Sequence, residues 1–254
     1  MLRALSTAAA IVLAGVVAFL FTVNRTSVPA SVPRPSQPAA VRVVAPSPTL
    51  SLDDIARAQL SRTVTIEALG KNDEGLGTGW LFDSKGDFVT NAHVIQGYLA
   101  IRIRGRDGSS HVGRVVGQDL GLDIALIRSE DGFPGVPLST YSGAVTDFPD
   151  AVVAIASSHA TGAGDITHER ITRIAADVPV TGDTTTGQTP TTADYLDMLV
   201  LDDNEIFPGN SGGPVVDGQG RVVGIVTLAS KSSPEGYAIQ MNRVLADLTR
   251  FAGG

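Results

Sequence analysis

Residues 208–228 read PGNSGGPVVDGQGRVVGIVTL. Ser211 stands among glycines in a turn-prone stretch, and two strand-like runs follow, separated by Gly and Asp turn residues. Gly-Asn and Ser-Gly pairs are ordinary turn chemistry, so this serine alone does not define a site. The runs say more about the fold, because the pattern recurs. TVTIEAL, GWLFD, FVTNA, AIRIRG, VGRVVG, DIALIR, AVVAIA, RITRIA, YLDMLVL, GPVVD, RVVGIVTL and GYAIQ have the same character between residues 63 and 240. Roughly a dozen short strands divided by Gly, Asp and Ser turns predict an all-β fold of antiparallel barrels or sandwiches. Helical patterns frame them. SLDDIARAQL, 51–60, has a serine N-cap, acids in its first turn and one apolar side; QMNRVLADLTRFA, 240–252, places Met241, Val244, Leu245, Leu248 and Phe251 on one face.

The 254-residue composition is 43% hydrophobic and 18% charged, which argues against disorder throughout. Cysteine is absent, so a disulfide framework, a thiolate zinc site and a cysteine nucleophile are excluded together. His93, His111, His159 and His168 show no HExxH spacing, and no metal site is expected. Residues 51–254 carry 15 basic and 26 acidic side chains, which disfavours a nucleic-acid partner. Residues 1–25 hold a membrane segment, since Ala4 to Val23 has no charge over 20 positions, about the length of a bilayer-spanning helix. It is read as either an uncleaved anchor or a signal peptide cut near SVPA, with the body outside the cytoplasm, in the cell envelope or secreted. Residues 26–50, with six prolines between Thr26 and Pro48, read as an extended linker. The folded domain is expected over 51–254.

Four stretches have chemical potential. GLGTGW, 75–80, resembles a phosphate loop, but it runs into a strand rather than a helix N-terminus, so its glycines are read as a bulge entering a barrel strand. FVTNAHVIQG puts His93 after an apolar strand, and GLDIALIR puts Asp123 at the head of another. A buried carboxylate there gains nothing unless it is paired. Ser211 completes a set that acquires meaning jointly. A serine hydroxyl needs a base, the base must be held in one tautomer, and a carboxylate can hold it. The Gly209–Ser211 turn can supply backbone N–H groups to an oxyanion.

TNAHV, DIALI and GNSGGPVV, with RVVGIVT behind the last, resemble the trypsin-fold serine peptidases, most closely the HtrA/Deg branch, over roughly residues 60–245. The resemblance implies two packed six-stranded antiparallel β-barrels, one about 60–135 and the other about 145–240. It makes His93 the general base, Asp123 its orienting group, Ser211 the nucleophile, and the N–H groups of Gly209 and Ser211 the oxyanion hole. Thr227 is expected to solvate Asp123, and Thr227, Leu228 and Ala229 to offer backbone to an extended substrate. Glu205 occupies the offset that selects basic side chains in trypsin, and Asp203 matches an acid of the HtrA branch; alternatively Ile206, Phe207 and Leu228 form a small apolar pocket.

Two departures bear on regulation. Asn210 stands where the digestive relatives carry the aspartate that pairs with a new amino terminus, so zymogen cleavage is not expected. The polar stretch TGDTTTGQTPTTAD, 181–194, is long for a turn and is read as either a controlling loop or a solvated insertion. With 43 residues after Ser211, the PDZ domain common in HtrA relatives is not expected here. The leading expectation is therefore a membrane-tethered or exported serine endopeptidase that needs no cofactor and acts on protein or peptide substrates. The alternatives are a catalytically silent or partner-activated binding module and an acyl hydrolase of another kind.

Overall fold

TVTIEAL forms β1, Thr63–Leu69, and it is followed by β2, Glu74–Leu81; β3, Asp87–Thr90; β4, Ala100–Arg104; β5, Ser110–Asp119; and β6, Ile124–Ser129. These six close into an antiparallel barrel in the order β1-β2-β3-β6-β5-β4. The computed structural model describes residues 50–143, 148–149, 151–161, 165–178, 195–202, 205–230 and 233–254. The apolar run 4–23, the linker up to residue 49, the polar stretch 181–194 and Asp203 lie outside the described residues. Among those described, no helix is long and apolar enough to cross a membrane.

After β7, Ser139–Thr140, come β8, Ala151–Ile155; β9, Ile166–Ala176; β10, Met198–Leu201; β11, Pro214–Asp217; β12, Arg221–Ala229; and β13, Gly236–Gln240. The order β11-β8-β9-β10-β13-β12 closes through an antiparallel β11–β12 pairing, giving a second six-stranded barrel, and β7 adds to β12 in parallel. The two-barrel, all-β expectation is met. β7 was not foreseen, because two residues carry too short a pattern to read.

The period-2 alternation of the strands serves two cores at once. On β6, Ala125 and Ile127 face the first barrel's interior cluster with Val64, Ile66, Phe88 and Ile103. Their neighbours Ile124 and Leu126 belong instead to a cluster with Val153 and Ile155 of β8, Val216 of β11 and Ile225 of β12. On β8, Val152 and Ala154 turn inward to Leu199, Leu201, Val215 and Val223. Both faces of these strands are therefore apolar, which is why they read as continuous hydrophobic runs. Helix α1, Leu52–Gln59, and the C-terminal helix cover this shared core with Ile55, Ala56, Met241, Val244, Leu248 and Phe251. Ser51 caps α1 as expected, its hydroxyl accepting the Asp54 N–H at 3.1 Å.

One local expectation is corrected. The glycines of GLGTGW do not precede a strand; they lie inside β2, which starts at Glu74. Close approach is the reason for Gly77, where a Cβ would stand 2.6 Å from Val94 Cγ1 and 3.2 Å from the Ser211 carbonyl. Barrel 1 also buries a charge. Arg128 grips the fully buried Asp87 in a bidentate pair, Nε–Oδ1 2.6 Å and Nη2–Oδ2 2.7 Å, and the hydrogen-bonded carboxylate raises the guanidinium above its ordinary value. Removing one partner leaves the other charge buried alone, which costs about 3–5 kcal/mol in comparable pairs. Arg128→Ala should lower unfolding free energy by that order in a denaturant titration, while Arg114→Ala on the neighbouring strand should change it by less than about 0.5 kcal/mol.

Candidate active site

β3 ends at Thr90, and Asn91 turns the chain into the single helical turn α2, Ala92–Ile95. This brings His93 up to Asp123, one residue before β6. The contact is two-pronged: the His93 N–H donates to Asp123 Oδ1 at 2.9 Å and Nδ1 to Oδ2 at 2.7 Å. A carboxylate only accepts, so the proton sits on Nδ1 and the neutral ring keeps its lone pair on Nε2. Asp123 is 1% exposed, and its φ of +55° lies in the left-handed region. Such a conformation costs of order 1–3 kcal/mol and persists where neighbours over-determine it. Here the Asn91 side-chain amide donates to the Asp123 carbonyl at 2.8 Å, and the Tyr195 hydroxyl donates to Oδ2 at 2.9 Å.

That last bond corrects the expectation for Thr227. Its hydroxyl does not reach Asp123; it donates to the Ile225 carbonyl at 2.9 Å and accepts from Asn91 Nδ2 at 3.1 Å. The β12–β13 register slips between Val226 and Leu228, so Thr227 is the extra residue of a bulge, and its side chain is spent on its own strand and on Asn91.

Ser211 follows a tight turn that Asn210 organises. The Asn210 N–H donates to the Phe207 carbonyl at 3.0 Å, its Oδ1 accepts the Phe207 N–H at 3.1 Å, and its carbonyl accepts the Gly213 N–H at 2.8 Å. A neutral amide thus braces the turn from within. Gly209 has φ +98°, and a Cβ there would stand 2.5 Å from the Ala160 carbonyl oxygen. Only glycine fits that shape and that proximity. Among the described residues, the Gly209 and Ser211 N–H groups donate no hydrogen bond within the chain.

Thr78 of β2 holds this turn from the other barrel. Its N–H donates to the Ser211 carbonyl at 2.8 Å, and its hydroxyl donates to the Gly209 carbonyl at 2.7 Å while accepting the Ser157 N–H at 3.1 Å. The Thr90 hydroxyl in turn donates to the Thr78 carbonyl at 2.8 Å. The Ser211 hydroxyl itself donates to the Thr227 carbonyl at 3.2 Å, and among the described residues no hydrogen bond joins it to His93.

The residues assigned to specificity separate. Glu205 is exposed and Phe207 is 47% exposed, Leu228 is partly exposed and Ala229 exposed. Ile206, expected beside Phe207 in an apolar pocket, is buried in the second barrel's interior, where its Cδ1 occupies the space over Gly236. The other histidines lie elsewhere: His111 bonds Asp131, His159 lies 3.5 Å from Glu67 and His168 bonds Asp53. Among the described residues no cluster fit to hold a metal is found. Sequence reasoning missed Thr78, Asn91 and Tyr195. The first two sit inside motifs already singled out, GLGTGW and TNAHV, whereas nothing local marks Tyr195.

Comparison with known proteins agrees with the two-barrel architecture. The model of the trypsin-like peptidase domain matches residues 77–225, and the chain belongs to that family. Within it, the similarity runs to the HtrA branch. The putative serine protease HhoA of Synechocystis is 30% identical over 188 residues, covering 71% of this chain and 44% of HhoA. A probable periplasmic serine endoprotease, DegP-like, of Rickettsia prowazekii is 28% identical, over 66% of this chain and 31% of its own length. The solved structure of the HtrA-type protease AlgW with a tripeptide aligns with TM-score 0.64 and 25% identity, over 79% of this chain and 63% of AlgW. The chain spans less than half the length of these curated relatives.

Valine at position 78 would keep the volume but leave the Gly209 carbonyl and the Ser157 N–H without their buried partner. An unsatisfied buried group costs about 1–3 kcal/mol. Thr78→Val should therefore lower stability by about that amount in chemical denaturation, and Thr78→Ser should restore most of it.

Proposed function

We propose that this chain is a serine endopeptidase acting on protein substrates outside the cytoplasm. The observation that carries this reading is the joint geometry of two halves. A buried Asp123 fixes His93 in the tautomer with a free Nε2, and the Gly209 and Ser211 N–H groups stand without an acceptor among the described residues. In the proposed reaction the Ser211 hydroxyl leaves the Thr227 carbonyl, passes its proton to His93 Nε2 and attacks the substrate carbonyl. The Gly209 and Ser211 N–H groups stabilise the oxyanion. His93 then protonates the departing amine, and water, activated by the same imidazole, releases the acyl group. Metal chemistry has no step in this scheme.

The substrate is proposed to add as a strand at β12. Beyond Val226, whose N–H and carbonyl bond Gly213 and Gly212, the described pairings of β12 run to β13 only. The edge at Leu228 and Ala229 is thereby left for a peptide backbone, and main-chain bonding of this kind favours extended protein segments over small esters. Glu205 and Phe207, both exposed close before Ser211, are the proposed side-chain contacts. The run 4–23 supports a membrane tether or an export signal, and the periplasmic description of the Rickettsia relative is consistent with an extracytoplasmic site of action. One observation favours a second reading, a binding module or partner-activated form: the Ser211 hydroxyl rests on Thr227 rather than on His93.

A fluorophosphonate probe decides between them. The full chain should label at one serine, and Ser211→Ala and His93→Ala should each abolish labelling. Asp123→Asn should slow turnover of a casein-type substrate by about 10⁴ because it misassigns the imidazole tautomer. EDTA should leave the wild-type rate unchanged. A folded wild type that never labels would establish the second reading.

A further inference from the structure

Asp123 receives its third donor from a residue that no sequence motif marks. Tyr195 is 3% exposed and packs in the cluster shared by the two barrels. Its backbone is pinned where the Val178 N–H donates to its carbonyl at 2.8 Å. The hydroxyl reaches Asp123 Oδ2 at 2.9 Å, the same oxygen that accepts His93 Nδ1 at 2.7 Å. The hydroxyl that the motif reading assigned to this task, on Thr227, is engaged with Ile225 and Asn91.

We propose that Tyr195 is a positioning residue for the reaction: its O–H fixes the rotation of the Asp123 carboxylate and so sets the bond that orients His93. This role presupposes the peptidase reading. The physical case rests on two points. A carboxylate can turn about its Cβ–Cγ bond, and the His93 contacts tie both oxygens to one residue on a single helical turn, Oδ1 to its backbone N–H and Oδ2 to its ring. Tyr195 ties Oδ2 to the second barrel instead, so the carboxylate is held between barrels rather than only by the group it must hold. The tie also draws charge from Oδ2 toward the phenol, which moderates the pull of Asp123 on the Nδ1 proton.

The test measures the bond itself. Proton NMR of the full chain should show the His93 Nδ1–H far downfield, assigned by its loss in His93→Ala. Tyr195→Phe keeps the buried ring and deletes only the donor; the resonance should move further downfield as Oδ2 becomes a stronger acceptor. Replacing Tyr195 by 3-fluorotyrosine, a stronger donor of nearly equal volume, should move it upfield. Fluorophosphonate labelling by Tyr195→Phe should slow about tenfold at saturating probe, with the half-saturating concentration unchanged. A Tyr195→Phe resonance at the wild-type position in a folded protein overturns the proposal whatever the labelling rate. Displacement of both variants in the same direction overturns it too, because volume rather than donation would then be the cause. Absence of labelling in wild type counts against the peptidase reading alone, since the resonance still reports on Tyr195.

Discussion

The geometry of the site hangs on one buried carboxylate. Asp123 is almost fully excluded from water, and its φ lies where few residues other than glycine settle. Either condition alone would be unfavourable. Together they persist because donors converge on it from both barrels: the His93 backbone and ring and the Asn91 amide from the first, the Tyr195 hydroxyl from the second. The same bonds that satisfy the buried charge also give the imidazole its tautomer. Stability and chemistry therefore draw on one set of contacts, and neither can be altered without the other.

A second constraint is the junction of the barrels. Strands such as β6 and β8 place alternate residues in a barrel interior and in the shared cluster, so the two barrels are welded by apolar contact along the strands that flank the site. Thr78 adds a polar weld at the Ser211 turn, contributing an N–H and a hydroxyl from β2 to carbonyls of the second barrel. Among the described residues, the N–H groups of Gly209 and Ser211 have no acceptor within the chain. Asn210 closes the turn on itself, its Oδ1 accepting the Phe207 N–H and its carbonyl the Gly213 N–H.

Much of this was legible in the chain. The short strands, their turns, the capped first helix and the amphipathic last one follow from local periodicity and turn chemistry, which depend only on near neighbours. Three motifs singled out His93, Asp123 and Ser211 as candidates, because each chemical role demands a particular residue type in a particular local setting. The errors fell where partners are distant in sequence. Thr227 was paired with Asp123 although a bulge in β12 directs it elsewhere, and Ile206 was placed in a pocket although Gly236 leaves it room in the core.

By itself, then, the sequence determined the class of fold and the candidate site residues, since pattern and residue chemistry are properties of the chain. Only the tertiary structure decided which hydroxyl reaches Asp123, which residue of the other barrel holds the Ser211 turn, and where the Ser211 proton rests. Each of these depends on a donor and an acceptor from segments 16 to 131 residues apart. Hydrogen bonds are directional over less than an ångström, and no local pattern carries the register and bulges that bring such atoms within reach.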